Sequence, residues 1–92
     1  LVYGANVNFV QASLGTEIRV PTLTSEKTIR VPPGTQSGTM LRLRGEGIKS
    51  TYGRGDELVH VNVRTPERLT PKERKLIEEL SKDFEADELN QR

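Results

Sequence analysis

The residues most suggestive of chemistry lie between Arg42 and Val59, in the string RLRGEGIKSTYGRGDELV. Gly45-Glu46-Gly47 supplies the first two glycines of a dinucleotide-binding turn, but Ser50 stands where the third would fall. That turn works by setting a pyrophosphate on the N-terminus of a following helix, and no helical pattern follows here. Lys49-Ser50 offers the lysine and hydroxyl of a phosphate loop, yet an isoleucine precedes it and no helix comes after. Arg54-Gly55-Asp56 spells a cell-adhesion tripeptide, three common residues whose chance occurrence is high. The glycines therefore read first as a chain reversal between two strands, in a loop long enough to invite a functional role.

Catalytic groups are hard to assemble elsewhere. His60 is the single histidine, and it lies opposite the face formed by Val59, Val61 and Val63, which makes it a surface residue of a strand. Ser13, Ser25, Ser37, Ser50 and Ser81 lack the G-x-S-x-G setting of a nucleophile. There is no cysteine, hence neither disulfide nor thiolate metal site, and no carboxylates at calcium-loop spacing. The expectation is a protein that is not an enzyme and carries no cofactor.

The elements that would position these residues follow from periodicity. Val7 and Phe9, Ile18 and Val20, Ile29 and Val31, Leu41 and Leu43, and Val59, Val61 and Val63 each fall two residues apart, so each set lines one face of a strand. Alternation of this kind belongs to antiparallel sheets with one buried face. Pro33-Gly34 fits a type II turn, because proline fixes φ at the first central residue and glycine accepts positive φ at the second. Ser37-Gly38 marks another turn, Pro21 a strand end, and VQASL one helical turn closed by Gly15. After Val63 the period changes. Thr70 is suited to cap a helix, Pro71 to its first position, and Glu73 completes a T-x-x-E capping box. Leu76, Ile77, Leu80 and Phe84 then form a narrow apolar stripe, with Glu78 and Lys82 spaced for an i,i+4 pair. That stripe has two readings: it packs back on the sheet, or it meets another chain.

A chain of 92 residues with net charge +1 is one domain or a piece of one, and its charge alone proposes no nucleic-acid partner. Its first residue is leucine, already inside a strand pattern, so an excised part of a longer protein is expected. No apolar run approaches the roughly 20 residues that span a bilayer. The fold expected is all-β: a small antiparallel β-sandwich, or barrel-sandwich, over residues 1–66, with one short helical turn. A C-terminal α-helix over 69–84 and a frayed polar tail over 85–92 complete it.

Four strings then combine in order: A-x-L-G-x-x-x-x-V-P-T-L at Ala12 to Leu23, P-G-T-Q-x-G at Pro33 to Gly38, R-x-R-G-x-G at Arg42 to Gly47, and G-D-x-L-V-x-V-x-V at Gly55 to Val63. Together they resemble the second carboxy-terminal subdomain of DnaJ-type J-domain co-chaperones, from about Leu1 to Phe84. The resemblance implies a client-binding β-sandwich followed by a dimerisation helix, in a cytoplasmic protein. It implies three kinds of partner: a second copy of the chain, unfolded polypeptides, and an ATP-driven DnaK-type chaperone. The last would be reached through parts of the parent protein not present here. Leu76, Ile77, Leu80 and Phe84 would face the partner protomer. The J domain, the Gly/Phe-rich linker, the zinc-binding cysteine region and the first β subdomain have no counterpart in the sequence, so no zinc is expected. Met40 and Leu58 fall opposite the core positions, either covering a second packed surface or forming a small peptide-contact patch. Two other readings compete: a nucleic-acid-binding module using Arg42, Arg44, Lys49 and Arg54, with Tyr52 as the one aromatic nearby, and an adhesion module using Arg54-Gly55-Asp56.

Overall fold

The computed structural model describes residues 2–43, 49–50, 53–54 and 56–84, with the backbone alone at 49–50 and 53–54. Strand β1 (Val2–Asn8) runs into a short helix α1 (Phe9–Leu14), followed by the hairpin β2 (Thr16–Pro21) and β3 (Glu26–Val31). Then come β4 (Met40–Leu43), a small pair β5 (Lys49–Ser50) and β6 (Gly53–Arg54), the long strand β7 (Glu57–Arg64), and helix α2 (Pro71–Ser81).

β7 is the centre of a three-stranded sheet in the order β1-β7-β4. β4 pairs with it antiparallel, Leu41 beside Val59, as the loop reversal between them requires. β1 pairs with it parallel, Ala5 beside Val61 and Val7 beside Val63, a departure from the otherwise antiparallel body. A parallel pair needs a long crossover, and here everything between Asn8 and Glu57 supplies it. The second layer is the antiparallel β2–β3 hairpin, Ile18 opposite Ile29. Its tip is tied by the Thr22 hydroxyl, which donates to the Ser25 carbonyl and accepts from the Ser25 amide.

The two layers close on valines. Val20 of β2 packs with Ala5 and Val59 across the sandwich, flanked by Ile18, Ile29, Leu41 and Leu43. Val7, Ala12 and Val61 form an adjoining cluster beneath α1. Period-two alternation thus sends the expected residues inward, and each fully buried Val is worth about 1.5–3 kcal/mol of transfer free energy. Phe9 is the exception. β1 ends one residue earlier than the alternation suggests, because Asn8 caps α1: its Oδ1 accepts from the Gln11 amide at 2.7 Å, and the Gln11 side chain returns the bond to the Asn8 amide at 3.0 Å.

The far end of α1 is closed by the turns. Gly15 adopts φ 85°, and a Cβ there would meet Pro33 at 3.0 Å, so both conformation and space demand glycine. Gly34, at φ 77°, donates its amide to the Ala12 carbonyl at 2.8 Å, and Thr35 adds a second bond to the same oxygen. These satisfy carbonyls that the short helix leaves open. Gly38 (φ 92°) and Thr39 then bond to Val61, and the Ser37 hydroxyl accepts from the Val63 amide, so the turn prolongs the β4 edge along β7.

Candidate functional site

Helix α2 forms where the sequence places its cap. Thr70 Oγ1 accepts from the Glu73 amide at 3.1 Å, Glu73 Oε1 accepts from the Thr70 amide at 2.7 Å, and Pro71 occupies the first turn. A Thr cap of this kind stabilises a helix by about 1 kcal/mol. What the helix lacks is a covered face: none of its residues is buried. Leu76, Leu80 and Phe84 are 59%, 45% and 56% exposed, and only Ile77 is half-buried. The expected Glu78–Lys82 pair does not form. Lys82 Nζ instead lies 3.3 Å from Glu79 Oε1, three residues back, because the chain past Ser81 tightens into i→i−3 turns.

Beside the stripe runs an apolar groove of about 250 Å³, walled by Phe9 and Val10 of α1, Pro66 and Leu69 of the connection, and Leu76 and Ile77 of α2. Three of these six, Val10, Pro66 and Leu69, are absent from the periodicity argument. Phe9 is placed there by the Asn8 cap, and Leu69 by its position just before the Thr70 cap.

The sheet's outer face carries the second candidate. Register sets Leu58 between Val2 and Arg42, with Met40 beside His60 and diagonal to Leu58. Met40 and Val2 are exposed and Leu58 is half-buried. Among the described residues the patch is therefore open to solvent, rimmed by the Arg42 Nε–Asp56 Oδ2 ion pair at 3.4 Å.

The glycine loop holds no ligand geometry among its described residues. β4 and β7, which flank it, are antiparallel neighbours, and Lys49 pairs with Arg54 in the β5–β6 ladder inside it. Gly45, Glu46, Gly47, Tyr52 and Gly55 lie outside the described residues, as does Arg44 of the basic set. Asp56, the acid of the adhesion tripeptide, is held by Arg42, so neither is a free charge.

One residue was overlooked in the alternation of β7. Glu57 shares the inward parity of Val59 and Val61, lies beside Leu43, and is fully buried, and neither carboxylate oxygen has a hydrogen-bond partner among the described residues. The period-two count that selects Val59 selects Glu57 as well.

A two-layer β-sandwich with an uncovered amphipathic helix behind it defines the class: a β domain that presents apolar surface outward. Comparison with known proteins gives the family. Residues 1–66 match the family model described as the DnaJ C terminal domain, and the chain belongs to that family. Chaperone protein DnaJ of Syntrophotalea carbinolica is 46% identical over 79 residues, covering 84% of this chain and 21% of the relative. That of Halalkalibacterium halodurans is 47% identical over 77 residues, 82% of this chain and 21% of the relative. That of Staphylococcus aureus is 41% identical over 93 aligned residues, reaching 99% of this chain and 24% of the relative. The chain thus spans between a fifth and a quarter of the length of these relatives.

Proposed function

We propose that this chain is the dimerising, client-holding portion of a DnaJ-type co-chaperone, working in the cytoplasm beside a DnaK-type ATP-driven chaperone. The observation that carries the reading is the uncovered stripe of α2. Leu76, Leu80 and Phe84 stand in solvent on a well-capped helix, although the chain has a sandwich of its own to pack against. Exposed apolar side chains in a row at helical spacing favour association with a matching helix. Residues Leu76, Ile77, Leu80 and Phe84 are the proposed contacts.

Client holding rests on the outer sheet face. Met40, Leu58 and Val2 form a small apolar patch on rigid strands, next to strand edges that can bond an extended chain irrespective of its sequence. One such patch binds weakly. Two patches joined through α2 raise the effective concentration of the second contact, with gains on the order of 10²-fold or more when both reach one polypeptide. Met at such a surface adapts to varied side chains.

The test follows light scattering from a denatured reporter protein as it aggregates on dilution. The unaltered chain is expected to suppress scattering, Met40→Ser with Leu58→Ser to lose most of that suppression, and Leu80→Glu with Phe84→Ser to retain a reduced share. A chain that never suppresses scattering, or a Met40/Leu58 variant as effective as the unaltered chain, contradicts the client assignment.

A further inference from the structure

We infer that Met40 is a reversible oxidation site: peroxide converts its thioether to the sulfoxide, His60 receives the new oxygen, and the outer sheet face loses its hold on apolar polypeptide. The modification stands on the geometry of the sheet; its consequence rests on the client-holding reading of that face.

The chain offers an oxidant one soft target. It has a single methionine, no cysteine and no tryptophan, so the Met40 thioether is its only sulfur. Met40 is 45% exposed and lies on β4, an outer strand of the β1-β7-β4 sheet, where a small peroxide can approach. Neither buried cluster includes it: the sandwich closes on Ala5, Val20 and Val59, and on Val7, Ala12 and Val61. A polar atom added at Met40 therefore alters the surface and spares the core. The other members of the patch are Val2 and the half-buried Leu58, so Met40 contributes its longest side chain.

His60 is the second, independent feature. It stands directly opposite Met40 in the antiparallel register of β4 and β7, which puts both side chains on one face with Cβ atoms about 4.5–5.5 Å apart. Its neighbour on the other side is Gly4, where even an added Cβ would meet nothing nearer than Asn62 Nδ2 at 3.8 Å. The His60 ring makes no hydrogen bond within the described residues. A neutral imidazole carries one N–H donor, and a thioether is only a weak acceptor for it. A sulfoxide oxygen is a strong acceptor carried on the same flexible side chain. Oxidation thus supplies the acceptor that His60 lacks and fixes a polar oxygen over the middle of the face.

The sulfur lone pair attacks one peroxide oxygen, and the S–O bond forms as the O–O bond breaks. The departing hydroxide takes the proton of the transferred hydroxyl and leaves as water, so sulfur gives up two electrons to the peroxide. Methionine sulfoxide reductase reverses the change with a dithiol: the oxygen leaves as water and the dithiol becomes a disulfide. A thioether adapts to varied apolar partners, whereas the sulfoxide is polar and weakens that contact.

The experiment treats the unaltered chain with dilute hydrogen peroxide. Mass spectrometry of its peptides locates added oxygen, NMR follows the imidazole of the single histidine, and light scattering from the aggregating reporter measures client holding. Scattering is read before oxidation, after it, and after repair by reductases for both sulfoxide epimers. The expected result is one oxygen at Met40, shifted His60 signals with an unchanged β-sheet spectrum, and a half-suppression concentration raised about fivefold or more, then restored by repair. Met40→Leu is compared with itself, and peroxide should move neither its His60 signals nor its suppression. Oxidation that spares Met40, His60 signals that stay in place, or a Met40→Leu chain equally weakened by peroxide overturns the site. An oxidised chain that holds client as well as the reduced one overturns the switch and leaves client holding intact. A reduced chain that never suppresses scattering overturns the client reading and the switch together, while mass and imidazole signals still decide the modification.

Discussion

The β-sandwich and helix α2 are both built on apolar stripes, yet the stripes meet different fates. In the sandwich, Val20, Val31, Val59 and Val61 are sealed between two layers of the same chain. In and just past α2, Leu76, Leu80 and Phe84 emerge from an equally well-formed element into solvent. Local structure does not distinguish them: capping at Thr70 is as complete as capping at Asn8, where the α1 helix does bury Ala12. What differs is whether a second layer is within reach. β7 has neighbours on both sides and a hairpin above it, whereas α2 leaves the sandwich through the connection at 65–69 and faces it across the groove. Stability therefore belongs to the sandwich, and the proposed association to the helix.

Substitutions can break that division. The largest effect is expected at Val61→Asp, which places an unpaired charge in the Val7–Ala12 cluster and costs on the order of 3–5 kcal/mol. For a domain holding about 5–15 kcal/mol in total, thermal unfolding followed by circular dichroism should then begin near room temperature. Leu80→Asp on the exposed stripe should change monomer stability by no more than about 0.5 kcal/mol, read at a concentration below association. Equal losses at the two positions would erase the distinction.

Glu57→Met acts in the opposite direction. It removes a buried carboxylate with no partner among the described residues and should stabilise the sandwich by about 1–3 kcal/mol. For a domain of this size each kcal/mol raises Tm by about 4–8 °C. A lower Tm in this variant would mean that the carboxylate is compensated. Gly15→Ala should cost about 1–3 kcal/mol, since its φ of 85° is unfavourable to alanine and the new methyl would press on Pro33. A smaller effect is expected for Thr70→Ala, about 1 kcal/mol. It should appear as reduced helicity and weaker association, with the sandwich's unfolding transition unchanged.

Much of this was legible in the sequence where a local rule and the tertiary structure agree. The Thr70-Pro71-Glu73 signature placed the start of α2, Gly34 took the positive φ assigned to it, Gly15 closed α1, and the paired valines of β2, β3 and β7 went inward. The rest needed information beyond local pattern. Parallel pairing of β1 with β7 joins segments about 55 residues apart, and alternation carries no strand direction. Phe9 kept the parity of a strand but belonged to a helix, since the capping strength of Asn8 outweighed one more alternating residue. Glu57 kept inward parity too, and its charge argued against a position its register imposed. The groove was invisible because its walls come from α1, the 65–69 connection and α2, three segments with no common period.

The most direct test of the account is the molar mass of the unaltered chain by sedimentation equilibrium over a concentration series, beside the Leu80→Glu/Phe84→Ser chain. The account predicts a concentration-dependent dimer for the first. For the second it predicts a monomer with the same β-sheet spectrum, and a dimer dissociation constant raised by roughly 30-fold or more, from about 2–4 kcal/mol of lost apolar burial. A doubly substituted chain that remains dimeric at the same concentrations, or an unaltered chain that is monomeric throughout, would contradict it.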